Sequence, residues 1–143
     1  MSEIRVDKIS GKTSVNAVTV TGENGSTQTS LQQGLCKAWV TMDSDASTIA
    51  AFDSFNTSSV TDDATGKYGA NINSNMNNTT YFEIGSGCNN VDDPNNYNRY
   101  IGVSHGFGSM DSERSTSVAK IGCYNSAFID TITVGLSIHG DLA

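Results

Sequence analysis

The sequence predicts an all-β chain: a short extended N-terminal arm followed by an antiparallel, jelly-roll-like β-sandwich. Three observations carry this prediction. Short runs of apolar–polar alternation recur along the chain, the signature of half-buried strands. Clusters of Gly, Asn, Asp and Ser separate these runs, and each cluster is turn chemistry. The spacing of strands and turns is regular, as in sandwiches and barrels. At 143 residues the chain has room for one ordinary domain, or a small domain plus an arm. Residues 1–35 read as the arm and residues 36–143 as the sandwich.

Taken in order, residues 2–9 place Ile4 and Val6 on one face of an extended segment. Glu3, Arg5 and Asp7 fall on the other. Residues 14–21 form a second strand, with Val18 and Val20 on one face and Asn16 beside them. The turn at 22–25 contains Asn24-Gly25, the strongest short hairpin signal. Two such strands cannot build a core alone, so the arm needs partners. Residues 27–35 are the one candidate helix. There Leu31 and Leu35 are four apart and share a helical face, while Gly34 weakens the helix by about 1 kcal/mol relative to alanine.

The sandwich opens at Cys36 with the alternation Ala38, Trp39, Val40, Thr41, Met42, which holds the only tryptophan. Strands follow around 52–56, 58–62 and 67–72. The turn between the last two, residues 62–66, ends in Gly66, where a hairpin loop calls for positive φ. Residues 81–84 form another strand. Residues 85–98 read as the longest loop. Strands at 99–107, 117–124 and 127–139 complete the set. In the last, Phe128, Asp130, Ile132, Val134, Leu136 and Ile138 alternate onto the core face. Asp130 interrupts that face, so a bulge or a switch between sheets is expected there.

The chain offers little catalytic chemistry. His105 and His139 are the only histidines, and no serine lies in a Gly-x-Ser-x-Gly elbow. The paired aspartates Asp43/Asp45, Asp62/Asp63 and Asp92/Asp93 sit in loops, where carboxylates usually cap backbone turns. The oxygen-rich loops 42–47 and 89–98 lack the EF-hand pattern for calcium. Cys36, Cys88 and Cys123 have no zinc-ligand spacing and read as small buried hydrophobes in a reducing compartment. The expectation is a chain that is not an enzyme and that holds no cofactor and no metal.

The net charge is −7, without a basic stripe, which argues against nucleic acid as partner. No secretory apolar region and no long apolar run is present, so neither a leader nor membrane insertion is expected. Tyr97 and Arg99, among Asn95, Asn96, Asn98 and Tyr100, suggest an aromatic tip with amide donors that suits a host-surface glycan.

Lys37-Ala38-Trp39-Val40, then Asp53-Ser54-Phe55-Asn56, then Ser58 to Asp62, then Thr65, Gly66 and Tyr68, make up a layout that resembles the C-terminal module of small phage virion structural proteins, those of marine podoviruses and cyanophages above all. The leading Ile-Arg-Val-Asp-Lys-Ile and the Gln-containing stretch up to Gly34 fit the same pattern. The resemblance covers the first half of the chain. The stretch between Met42 and Asp53 departs from it, lacking a basic residue before Asp-Ser-Phe. The resemblance implies a tail-fibre, head-fibre or capsid-decoration subunit, made in the host cytoplasm and located in the virion. Such a subunit attaches through its arm to other virion proteins in the capsid or tail. Since such appendages are commonly trimers, it also implies a homotrimer. The arm positions Ile4, Val6, Val18, Val20, Leu31 and Leu35 are the expected oligomer interface. The runner-up reading is a carbohydrate-binding module with Tyr97 and Arg99 at its tip.

Overall fold

The computed structural model describes residues 5–10, 18–21, 28–45, 48–88, 114–125 and 127–143. The chain divides into two compact units, Met1–Leu35 and Cys36–Ala143.

In the first unit, β1 (Thr19–Thr21) pairs antiparallel with β2 (Gln28–Ser30), with Val20 opposite Thr29. The expected helix over 27–35 shrinks to one turn, α1 (Leu31–Gly34). Residues 28–30 are taken by the ladder to β1 instead, and four residues are too few to propagate a helix. The Leu31 amide donates to the Val18 carbonyl at 2.9 Å. Leu35 lies past the turn, so the shared helical face with Leu31 is not formed. Residues 5–10 form no strand, against expectation.

The second unit is an antiparallel two-sheet structure of the sandwich type. Its strands are β3 (Cys36–Asp43), β4 (Ala50–Phe55), β5 (Thr57–Ala64), β6 (Lys67–Ile72), β7 (Phe82–Cys88), β8 (Val118–Gly122), β9 (Tyr124–Asn125), β10 (Ala127–Phe128) and β11 (Thr133–His139). One sheet runs β4-β3-β11-β7, the other β5-β6-β8, and β9 and β10 form a small separate ribbon. Alternation decides what faces inward. Ala38, Val40 and Met42 of β3 and Val134, Leu136 and Ile138 of β11 meet Tyr68, Ala70 and Ile72 of β6 and Ala119 and Ile121 of β8 in one buried core.

Two of the places where the chain passes between sheets show how the sequence directs it. At the first, Asn56 adopts φ 53°, the left-handed region that asparagine tolerates best after glycine. Its side-chain amide nitrogen donates to the carbonyls of Lys37 (2.9 Å) and Ser74 (3.2 Å), and its side-chain oxygen accepts from the Ser74 amide at 2.7 Å. At the second, the expected single strand over 127–139 splits into β10 and β11, with Asp130 in the break. Val134, Leu136 and Ile138 keep the core face, but upstream the phase shifts: Thr131 is buried and Ile132 only half-buried.

One further expectation is corrected. Residues 85–88 are not loop; they extend β7, with Gly85 opposite Leu136 and Gly87 opposite Val134. The expected strand at 99–107, the turn at 22–25 and the remainder of the expected loop, 89–98, lie outside the described residues.

Candidate functional site

Register in the four-stranded sheet assembles a face that no single strand reveals. Phe55 of β4 stands opposite Trp39 of β3; Trp39 stands opposite Ser137 of β11; Ser137 stands opposite Ile84 of β7. Cα partners point their side chains to the same side of a sheet. Because Val40, Leu136 and their alternates fill the core, this row points away from it. The next row towards one end is Asp53, Thr41, Gly135, Ser86; towards the other, His139 stands beside Phe82.

The row is apolar and exposed. Phe82 is 64% exposed, Phe55 54% and Ile84 50%, while Trp39 is half-buried. Single exposed apolar residues need no explanation, but contiguous ones mark contact surfaces. Small residues on β11 cut a groove of about 260 Å³ through this face. Gly135 and Ser137 form its floor, Trp39 and Thr41 one wall, Ile84 and Ser86 the other. Two strand spacings set the walls about 10 Å apart. A Cβ at Gly135 would stand 2.7 Å from the Ser86 hydroxyl, so the glycine keeps the groove open.

At the end of the groove the Ser137 hydroxyl lies 3.2 Å from His139 Nε2 and 3.2 Å from Cys36 Sγ. A serine beside an imidazole can exchange a proton. Catalysis also requires a group that orients the imidazole. Among the described residues no carboxylate hydrogen-bonds His139, and no three His, Cys, Asp or Glu side chains cluster as a metal site would require.

Two polar clusters hold the sandwich that carries the face. In the first, Asp130 Oδ1 accepts from the Gly66 amide at 2.7 Å and from the Tyr68 hydroxyl at 3.4 Å. The Thr131 amide donates to the Tyr68 oxygen at 3.3 Å, and the Ser44 hydroxyl donates to the Thr131 carbonyl. Burial first, and Asp130 as a further cause, push the Tyr68 hydroxyl above the usual phenol range. Burial pushes the Cys123 thiol up as well. In the second cluster, the Tyr81 hydroxyl lies 2.9 Å from the Ser115 carbonyl and 2.8 Å from that of Val118. The Arg114 guanidinium stacks 4.9 Å from the Tyr81 ring and lies 3.9 Å from Glu83. Burial, then the Glu83 charge, drives the Tyr81 hydroxyl well above its ordinary range, while Arg114 opposes them. Among the described residues, Glu83 and Lys37 are the buried charges of this unit. Burial lowers the Lys37 ammonium, and Asp141 partly restores it.

The sequence-predicted interface residues of the arm fall out as follows. Val6, Val20 and Leu35 are 58%, 56% and 55% exposed, as is Ile9 at 63%. Val18 and Leu31 are half-buried. Ile4, Tyr97, Arg99, Tyr100 and His105 lie outside the described residues. Cys123 is buried and Cys36 half-buried, both as free thiols; the Cys88 side chain lies outside the description. Sequence reasoning missed Phe55, Ile84 and Phe82 as members of one surface. Each strand shows only its own alternation, and the row exists only once register is known. No helix among the described residues is long and apolar enough to cross a membrane. Comparison of the chain with protein-family models, curated proteins and solved structures found no match.

Proposed function

We propose that this chain is a structural subunit of a phage virion, a homotrimeric tail-fibre, head-fibre or capsid-decoration protein. It attaches to other virion proteins through residues 1–35 and presents the β-sandwich outward. The observation that carries this reading is the exposure of the arm's apolar residues: Val6, Ile9, Val20 and Leu35 are each more than half exposed. The regular structure described in the arm, a three-residue ribbon and one helical turn, cannot stand alone in water. Apolar side chains set on so slight a frame are covered by neighbours in an assembly. The resemblance over residues 37–68 supplies the virion context. Chain closure into a ring of three removes the free edges of the arm strands.

Light scattering on the purified protein at micromolar concentration tests this reading. A mass near three chains is the expected result. A clean monomer overturns the homotrimer. Leu31→Asp with Leu35→Asp tests the arm itself, since an unpaired charge in an apolar contact costs several kcal/mol. Normal assembly of that double variant overturns an interfacial role for these leucines.

A further inference from the structure

We propose that Cys36 is a reactive thiol that takes a low-molecular-weight disulfide from the β11 groove, its proton passing through the Ser137 hydroxyl to His139. The proposal does not depend on the virion reading.

The strand itself aims the sulfur. Ala38, Val40 and Met42 of β3 fill the core, and by count Cys36 belongs with them. The register breaks at this point. Ile138 stands opposite Ala38 but His139 stands opposite Cys36, which leaves Lys37 as the extra residue of a β-bulge. A bulge re-aims the side chain beyond it. Cys36 therefore leaves the core and meets Ser137 and His139 of β11. All three are half-buried, within reach of a small reagent.

Three side chains then form a relay. Ser137 Oγ lies 3.2 Å from Cys36 Sγ and 3.2 Å from His139 Nε2. With its own proton on Nδ1, the imidazole accepts from Ser137, and the Ser137 oxygen can accept from the thiol. The carbonyls of Ala38 (3.1 Å) and Ile138 (3.5 Å) also accept from that thiol, so the relay competes with them for its proton. Once ionised, the sulfur is attracted by the Lys37 ammonium, to which Asp141 is also drawn. A serine needs an oriented imidazole before it attacks anything. A thiol does not, because a few per cent of it is already ionised at neutral pH. The requirement that disqualifies Ser137 as a nucleophile does not bind Cys36.

The groove supplies the substrate class. Its volume of about 260 Å³ is just below the usual range of small-molecule sites, and Ser137 lies at its end, one contact from the sulfur. Trp39 and Ile84 suit the apolar part of a small disulfide, and the hydroxyls of Thr41 and Ser86 suit its polar part. In the reaction the Cys36 thiolate attacks one sulfur of the disulfide. A new S–S bond forms to Cys36, and the old one breaks with its electron pair on the departing sulfur. His139 returns the proton through Ser137 to that sulfur, so one small thiol leaves and one mixed disulfide stays. Cys36 is oxidised, the departing sulfur is reduced, and the disulfide is the oxidant.

The test is labelling of the folded full chain with 2-hydroxyethyl disulfide at neutral pH, mapped by peptide mass. Cys36 should form the mixed disulfide well before the buried Cys123. The relay can speed an ordinary thiol by a few tens of fold at most, so Ser137→Ala and His139→Gln should each slow labelling about tenfold, with unchanged circular dichroism. Glutamine keeps a hydrogen-bonding group beside Ser137 but offers no base, so a merely structural imidazole would leave the rate unmoved. Ser137→Thr keeps the hydroxyl and should keep the rate. Should His139→Gln fold poorly, the two Ser137 variants carry the test. Gly135→Ala narrows the groove, since its Cβ would stand 2.7 Å from the Ser86 hydroxyl. It should slow the disulfide while leaving the rate of Cys36 with iodoacetamide unchanged. Labelling of Cys36 no faster than that of Cys123 overturns the site. Parent-like rates in Ser137→Ala and His139→Gln overturn the relay. Equal effects of Gly135→Ala on both reagents overturn the groove as the path of the substrate.

Discussion

The Asp130 carboxylate accepts the backbone N–H of Gly66 at 2.7 Å, across 64 residues of chain. This bond joins the β5–β6 turn to the break between β10 and β11, and so fixes where the chain changes sheets. It also holds Tyr68 in reach of Thr131. Asp130→Ala should therefore cost about 1.5–3 kcal/mol, the usual worth of a hydrogen bond to a charged group. Urea denaturation of the variant against the parent checks this. A change below a few tenths of a kcal/mol would mean that the turn holds itself.

Gly66 itself admits no side chain. It sits at φ 65°, and a Cβ there would stand 2.5 Å from the Ile129 carbonyl oxygen and 2.8 Å from that of Cys123. Both are backbone atoms that cannot rotate away. Gly66→Ala should cost more than the roughly 1 kcal/mol of left-handed strain alone, with overpacking adding about 1–3 kcal/mol. Thermal unfolding gives the readout. An unchanged midpoint would show that the turn relocates freely.

Asn56 combines two roles that substitution can separate. Glycine accepts φ 53° and loses only the bonds to Lys37, Ser74 and the Ser74 amide. Alanine loses those bonds and keeps the strain. Asn56→Ala should thus be less stable than Asn56→Gly by about 1 kcal/mol. Equal stabilities would place the whole contribution of Asn56 in its side-chain bonds.

Tyr81 carries a pH signature. Its hydroxyl is held neutral in the folded protein, chiefly by burial, and titrates above its ordinary value. A raised acid stabilises the fold fully below the unfolded pKa, near about pH 10, and the contribution is lost as pH climbs from there towards the folded value. Tyr68 and Cys123 shift in the same direction and add to the effect. Stability should decline above about pH 10, and Tyr81→Phe should flatten that decline while lowering stability at neutral pH through the stranded carbonyls of Ser115 and Val118. Urea midpoints measured across the alkaline range decide it; an unaltered slope in the phenylalanine variant would remove Tyr81 as the source.

Much of the sandwich is legible in the sequence because its signals are local. Ala38, Val40 and Met42 alternate within one strand, Gly66 marks its own turn, and Val134, Leu136 and Ile138 name their own core face. Asp130 announces the break it occupies. The extension of β7 through Gly85, Ser86 and Gly87 is illegible for the opposite reason. These residues have loop composition and are extended only because β11, some fifty residues away in sequence, supplies the ladder. Trp39 shows the same limit. Hydrophobicity alone would place it inside, yet the parity it shares with Thr41 turns it out. The arm residues 5–10 have the alternation of a strand yet form none.

The ladder between β3 and β11 begins where both strands reach the ends of the sandwich unit, Cys36 opposite His139. Tension applied between residue 36 and the C-terminal tail would open that ladder like a zipper, one rung at a time, and not by shearing all rungs together. The tail, however, is fastened first. Leu142 bridges to Met76, the Asn77 amide donates to the Asp141 carbonyl at 2.8 Å, and the Ala143 amide donates to the Asn75 carbonyl at 2.9 Å. This buckle has to open before the first rung bears any load, and it sets the force at which the unit begins to unravel.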